Sequence, residues 1–457
     1  MTRVRLAWDL FRAEGARGLS ERLAERVAGL RERRAERAVT PAELLPPGGA
    51  IPVLDVLATP LAPRFGGVPV QFAPRLAQEQ RLRATALLAP ESGRWVLRTA
   101  RGGDRRRAWL GPCRAGSDAR RGLGAHVPTI VEAAERVGAH LVNLEGLAGW
   151  PPDALGPLAG GERKLVLSLH DFALFCPRPN LVEEPHARFC GYSRDADRCR
   201  ACLAETWSFP PGASEEWRRA AAVLLAASDA AVYPSDFLRR AYAELFPGAA
   251  PPVERVVAPP SPEEDPDRRA TPGPAPRGTG RPLHVAFVGA YRPHKGALVF
   301  EDVVRRMAAS STGAVRWSIL GSGDPALLLR ARRLGIRVRG HYRAGSLSRR
   351  LMEDGVDVAL LLSVWPETFA LTLSECRAAG VPALAFGLGA IADRIGSEGG
   401  GLLVPPEEGA EGVVAALGRV LAGSAIPPFH GAGPVPAAAR AAAERVALYR
   451  LLLGEEP

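Results

Sequence analysis

Pro366-Glu367-Thr368-Phe369-Ala370-Leu371-Thr372-Leu373-Ser374-Glu375 places two carboxylates eight residues apart across a loop-to-helix junction. Before it, Val356 to Leu362 is an apolar run that reads as a buried parallel strand. After it, Ser374 to Ala379 reads as helix, stopped by Gly380 and Val381-Pro382. A second apolar run, Ala383 to Phe386, leads into Gly387-Leu388-Gly389-Ala390. Strand, loop, helix, strand and Gly-rich loop, in that order, spell a doubly wound α/β domain. Ligands of such domains bind beyond the carboxyl ends of the strands, where this pair falls. Eight residues make about two helical turns. A helix starting in the Thr368–Phe369 region therefore points Glu375 back toward the cleft that Glu367 lines. Ionised carboxylates accept hydrogen bonds strongly, which suits sugar and ribose hydroxyls.

Upstream, Leu283 to Val288 reads as a strand with Gly289-Ala290-Tyr291-Arg292-Pro293-His294-Lys295-Gly296 as its exit loop. Lys295 then lies near a helix start, and an ammonium beside helix N–H groups suits a diphosphate. The loop is neither a Walker A nor a G-x-G-x-x-G fingerprint. Gly321-Ser322-Gly323-Asp324 ends the next strand and lets a base or ribose approach the backbone. Val338-Arg339-Gly340-His341-Tyr342 follows.

In this order and spacing the motifs resemble those of retaining family-4 glycosyltransferases (glycosyl transferases group 1), whose E-x7-E signature the opening stretch matches. The resemblance covers residues 283–422 clearly and 140–240 more weakly; residues 1–50 have no firm match. It implies the GT-B fold, two Rossmann-like doubly wound domains facing a cleft. Glu367 would bond hydroxyls of the donor sugar, and Glu375 would hold the ribose. The backbone at Thr368, Phe369 and Ala370, with Gly289 and Gly321, would approach sugar or phosphate. Lys295 and Arg292 would take the diphosphate. Two departures stand out. Ala290 replaces the arginine that often follows the first glycine, which leaves Arg292 as its substitute. Thr368 and Ala370 stand where glycines usually flank the Phe.

In the N-terminal half, Ile51 to Ala58 reads as a strand and Val68 to Arg81 as a helix. Gly66-Gly67 between them is either an anion-binding loop or an ordinary turn. Ser168-Leu169-His170-Asp171 ends another strand. It resembles the family's strand-end histidine, so His170 would face the donor sugar, with Asp171 as orienter or cap. Cys176, Cys190, Cys199 and Cys202 follow within 27 residues, and Cys199/Cys202 have a metal-knuckle spacing. A structural zinc on four thiolates, unliganded thiols and an iron–sulfur cluster all remain open. Cys113 and Cys376 are isolated and read as structural.

The 457 residues exceed a single core and suggest two domains; 47% apolar and 24% charged residues are globular values. Residues 1–50 read as a basic helical extension, with ten arginines over 3–37. That helix either packs on protein or lies on an anionic membrane surface. Residues 51–246 read as the acceptor domain with a Cys-rich insert at 176–202. Residues 247–282 read as a Pro-rich linker, 283–422 as the nucleotide-sugar domain, and 423–457 as a second linker and a crossover helix. The formal charge is +10, and all but two of the 59 basic residues are arginine. Arg98 to Arg107 forms a second basic cluster, read as a loop. No helix-turn-helix, RNP or zinc-finger helix pattern points to nucleic acid. No spanning helix or leader is legible, so the expected location is cytoplasmic, with peripheral contact at the inner membrane face as the membrane reading.

The expected activity is metal-independent transfer of a sugar from a nucleoside diphosphate to a hydroxyl of a glycan or lipid-linked acceptor. No cofactor is expected for catalysis. The rivals are another GT-B enzyme, a phosphorylase or epimerase, and a non-catalytic nucleotide-sugar sensor or scaffold.

Overall fold

The computed structural model describes residues 3–61, 67–113, 122–206, 209–260, 281–310, 313–430 and 438–455. Gly66 and residues 261–280, most of the expected interdomain linker, lie outside them. The chain divides into two compact units: Arg31–Pro260 with Pro436–Pro457, and Met1–Leu30 with Ser261–Val435. Helix α1 spans Arg3–Arg34.

The first unit carries a nine-stranded sheet. Its strands are β1 (Arg37–Ala38), β2 (Val53–Leu57), β3 (Thr85–Glu91), β4 (Arg94–Arg101), β5 (Asp104–Pro112), β6 (Leu141–Glu145) and β7 (Lys164–Ser168). A small hairpin, β8 (Val182–Glu183) and β9 (Arg188–Phe189), precedes β10 (Ala230–Tyr233) and β11 (Val253–Val256). The order is β1-β5-β4-β3-β2-β6-β7-β10-β11. Helices α2 (Gly67–Leu82), α3 (Val127–Val137), α4 (Ala196–Ala204), α5 (Ala213–Ala227) and α6 (Asp236–Leu245) connect them. Pro69 falls in the first turn of α2, where no N–H is needed.

Two stretches differ from their sequence reading. The arginine cluster at 98–107 is not a loop: β4 and β5 form an antiparallel hairpin. Its turn is Gly102-Gly103, both at positive φ, the conformation tight hairpins demand. Trp95, Val96 and Leu97 are wholly buried, while Arg98 pairs with Glu36 and Glu91. Within the expected linker, Val253–Val256 pairs in parallel with Ala230–Tyr233.

The second unit holds an all-parallel six-stranded sheet: β12 (Leu283–Val288), β13 (Val315–Leu320), β14 (Arg337–Gly340), β15 (Val358–Leu361), β16 (Ala383–Phe386) and β17 (Gly401–Val404). Helices α7 (Ala297–Ser310), α8 (Pro325–Arg333), α9 (Leu347–Glu353), α10 (Leu371–Ala378), α11 (Ala390–Glu398) and α12 (Gly409–Leu421) follow the strands. The order β14-β13-β12-β15-β16-β17 reverses direction between β12 and β15. This is the doubly wound arrangement, and the reversal fixes where a ligand crevice opens. Strands β12, β15 and β16 are buried along their whole length, which accounts for the unbroken apolar runs of β15 and β16; in β12 the one polar side chain, His284, lies 2.8 Å from Ser318 Oγ.

Helix α1 packs on this second unit through its middle. Ala13 is wholly buried in the same core as Val285, Phe300 and Leu328. The buried Glu14 carboxylate accepts from Arg22 Nε at 2.9 Å and from the His341 backbone N–H at 3.3 Å. Gly340 makes that approach feasible: a Cβ there would come within 2.6 Å of Glu14 O. A protein surface covers the buried stripe of the basic helix.

The last helix, α13 (Ala438–Leu453), belongs to the first unit. Its Ala441, Leu448 and Tyr449 join Val53, Leu141 and Val166 in one apolar cluster.

Candidate functional site

The loops leaving β12 and β15 meet at the reversal point of the second sheet. Gly289 sits at φ 108°, and a Cβ on Gly321 would fall 1.8 Å from Gly289 O. The exits of β12 and β13 touch through bare backbone. Gly296, at φ 85°, likewise leaves no room for a Cβ beside Leu362 O. Pro293–Lys295 forms a single tight turn before α7.

This geometry brings Lys295 Nζ onto the Glu367 carboxylate, which also accepts from Ser363 Oγ. The ammonium lies 5.4 Å from the centroid of the Trp365 ring, a cation–π contact. Burial pushes the Glu367 carboxyl up, but the Lys295 ammonium and the bonds from Lys295 and Ser363 outweigh it, so the group lies below its ordinary range. Glu367 is therefore a carboxylate at neutral pH. Burial and neighbouring Lys295 lower His294 to about 4, so it is neutral there. Glu367 remains 14% exposed and Lys295 28%, so a ligand can reach both. Arg292 is exposed beside them.

Residues 368–370 turn the chain into α10, which starts at Leu371, slightly later than the sequence suggests. Arg394 on α11 fixes this turn. Its Nη1 donates to Phe369 O at 3.0 Å and Ala370 O at 3.1 Å, and its guanidinium lies 4.4 Å over the Phe369 ring. Nη2 reaches Ser374 Oγ at 3.1 Å. At the start of α11, Ala390 N donates to Glu367 O at 2.8 Å, and Gly389 leaves no space for a Cβ beside that carbonyl. Glu375 is buried on the second turn of α10. Thus the structure brings Gly289, Lys295, Gly321 and Glu367 together, with Thr368–Ala370 clamped beside them. Arg394, Ser363 and Trp365 were missed. Arg394 lies 19 residues beyond Glu375 on a separate helix, and nothing in its own stretch marks it.

Ala370 takes a left-handed conformation, φ 64° and ψ 76°. A Cβ is disfavoured there. Ala370→Gly relieves about 1–2 kcal/mol of left-handed strain against about 0.4–1 kcal/mol of added unfolded-chain entropy, so the unfolding free energy is expected to rise by about 0.5–1 kcal/mol. Urea unfolding checks this; an unchanged or lower midpoint would show that the turn carries no strain.

In the first unit, His170 follows β7 and both its ring nitrogens have protein partners. Nε2 lies 2.9 Å from Glu145 Oε1, and Nδ1 lies 3.0 Å from Gln71 Nε2. Glu145 ends β6 and sits in a buried polar network. Its Oε2 accepts from Arg75 at 2.8 Å and Asn143 at 2.9 Å, with Arg445 of α13 at 3.5 Å. Arg445 also bonds Ser168 Oγ at 2.7 Å, and Tyr449 reaches Asp55 at 3.2 Å. Burial alone would raise the Glu145 carboxyl; Arg75, Arg445 and His170 bring it well below its usual range. Neighbouring Asp171 goes the other way, pushed up to about 6 by burial despite a bond from the Ala173 N–H. Asn143 and Glu145 interrupt an otherwise apolar strand at alternate positions, a signal that was there to read. Gly67 is the first residue of α2, the helix that carries Gln71 and Arg75.

The four clustered cysteines line one small pocket, together with Arg198 and Arg218. Among the described residues, however, no group of three or more His, Cys, Asp or Glu is placed to hold a metal ion. The expected zinc site therefore needs correcting. A tetrahedral zinc draws its sulfurs to about 2.3 Å of a single point, and no such convergence is present among the described residues.

Comparison with known proteins follows this geometry. Residues 282–423 match the glycosyl transferases group 1 family model. That segment contains the β12 and β15 loops but is about a third of the chain. No curated protein matches significantly. Among solved structures, sucrose-phosphate synthase from Thermosynechococcus elongatus is 18% identical, with 88% of this chain and 97% of that one covered and a TM-score of 0.53. An α,α-trehalose-phosphate synthase (UDP-forming) from Burkholderia vietnamiensis is 15% identical over 88% and 94%, with a TM-score of 0.51. Anabaena HepE in complex with UDP and glucose is 16% identical over 88% and 95%, with a TM-score of 0.50. At these identities the likeness speaks for the fold, and the fold is GT-B.

Proposed function

We propose that this chain is a retaining glycosyltransferase. It transfers a sugar from a nucleoside diphosphate to a hydroxyl of a glycan or lipid-linked acceptor. One observation carries the reading: Lys295 and Glu367 converge at the reversal point of the second sheet, beside a turn whose backbone is clamped by Arg394. An ammonium has three donors. Lys295 gives one to Glu367 and can offer the others to a diphosphate, with Arg292 adding charge. That stabilises the departing diphosphate without a bound cation. Glu367 accepts from the sugar hydroxyls, and Glu375 from the ribose. His170, oriented by Glu145 and Gln71, would contribute a ring edge to the sugar. Front-face attack by the acceptor hydroxyl is the proposed route to retention.

The test is saturation-transfer NMR against a panel of nucleotide sugars, followed by a transfer assay with the best binder. UDP sugars head the panel, since UDP and glucose are bound in the Anabaena structure. Binding without turnover or hydrolysis would instead favour a sensor. Transfer is expected to survive EDTA in the assay; a strict need for added Mg²⁺ or Mn²⁺ would contradict the role given to Lys295.

Lys295→Ala is expected to weaken nucleoside diphosphate binding by about 1.5–3 kcal/mol, the scale of a hydrogen bond to a charged group. That is roughly a 10- to 150-fold rise in Kd. Calorimetric titration reads it directly; equal affinities would remove Lys295 from the phosphate site.

A further inference from the structure

Arg394 spends its whole guanidinium on one short turn and one carboxylate. Nη1 donates to Phe369 O at 3.0 Å and to Ala370 O at 3.1 Å, and Nη2 donates to Ser374 Oγ at 3.1 Å. Glu398, one helical turn further along α11, accepts from Nε at 2.9 Å and from Nη2 at 3.2 Å. Arg377 Nη1 donates to the same carboxylate at 2.9 Å. The guanidinium also lies over the Phe369 ring. With its side chain 11% exposed and held from both sides, Arg394 is a fixed part of this turn.

What it fixes is a direction. A trans peptide points its C=O and its N–H to opposite sides. Phe369 O shares a peptide with Ala370 N, and Ala370 O shares one with Leu371 N. Arg394 draws both oxygens toward itself, so both N–H groups face away from it. Among the described residues neither N–H has a hydrogen-bond acceptor. Ala370 is left-handed and Leu371 begins α10, and successive N–H groups at such a change of hand form an anion-binding concavity. The start of α10 adjoins the β12 exit, where a Cβ on Gly289 would come 3.6 Å from Thr372 Cγ2. Lys295 bonds Glu367, just before this turn. Concavity and ammonium therefore belong to one crevice. A glycine at position 370 would hold the left-handed conformation unaided, whereas alanine needs an outside hold. Arg394 provides it.

We propose that Arg394 is a positioning residue for the donor. By pinning two successive carbonyls it aims the N–H groups of Ala370 and Leu371 at a phosphate of the nucleoside diphosphate. The role rests on the nucleotide-sugar reading of this crevice. Arg394 acts through the backbone alone. A lysine keeps the charge but lacks the planar fork that meets two carbonyls, a hydroxyl and a carboxylate at once.

Arg394→Gln and Arg394→Lys are titrated calorimetrically with UDP, GDP, ADP and TDP, and with the parent nucleoside of the best binder. Both variants are expected to raise the Kd of that diphosphate about 10-fold, the scale of one hydrogen bond to a charged group, and to leave nucleoside affinity unchanged. Adding Ala370→Gly separates positioning from stability. In the Arg394→Gln background the glycine is expected to restore the urea midpoint while the Kd stays raised, because a relaxed turn still leaves its N–H groups unaimed. Wild-type diphosphate affinity in either single variant would overturn the role of Arg394 and leave the donor reading standing. Affinity that recovers together with stability in the double variant would overturn it as well, reducing Arg394 to a brace. A wild type that binds none of the four diphosphates would remove the donor reading, and the positioning role with it.

Discussion

Glu367→Ala is expected to lower kcat by about 100- to 1,000-fold or more, the range seen when one preorganised electrostatic contact to a transition state is removed. The fold should persist, because the side chain is partly exposed and its backbone is held separately by Ala390 and Gly389. Nucleoside diphosphate affinity should not fall. Lys295 loses a competing partner in the variant and turns fully toward phosphate. The split between turnover and diphosphate affinity distinguishes this residue from Lys295, whose loss weakens both. Unchanged kcat with the natural donor would remove Glu367 from the chemistry.

Glu145→Ala is expected to destabilise the first unit by about 3–5 kcal/mol, the cost of leaving buried charge without its counterion. Arg75 keeps Glu79 in the variant, whereas Arg445 loses its carboxylate and keeps the Ser168 Oγ bond. His170 loses its Nε2 partner at the same time. Urea unfolding followed by tryptophan fluorescence checks this, with Trp95 and Trp150 as buried reporters in the same unit. A loss below about 1 kcal/mol, the ordinary range for an exposed pair, would mean that water reaches the network.

The parts of this molecule that were legible in the sequence are those where cause and effect lie close along the chain. The apolar runs of β12, β15 and β16 announce burial on both faces. Gly289, Lys295 and Glu367 stand at strand exits, and on them the proposed phosphate and sugar contacts rest. What was hidden depends on distance along the chain. Lys295 meets Glu367 across 72 residues, and Arg445 approaches Glu145 across 300. Arg394 looks like any surface arginine until α11 folds back over Phe369. The β4–β5 hairpin was lost for another reason: its arginines drew attention from the buried Trp95-Val96-Leu97 and from Gly102-Gly103, a turn signal in plain view. The cysteine spacing was legible, but the space between the sulfurs was not.

Helix α13 belongs to the unit built mainly from residues 31–260, yet it follows residues 261–435 along the chain. A ribosome therefore delivers Arg445 and Tyr449 last. Until they emerge, Asp55 keeps Arg83 and Glu145 keeps Arg75, but both lack the hydroxyl and guanidinium that α13 supplies. Nascent chains usually fold domain by domain from the N-terminus. Here the earlier-made unit has all its strands in hand first, yet it waits for α13 until the other unit's last strand has been made. Any stop codon between residues 436 and 445 would spare every sheet strand and still leave the first unit without its closing cation.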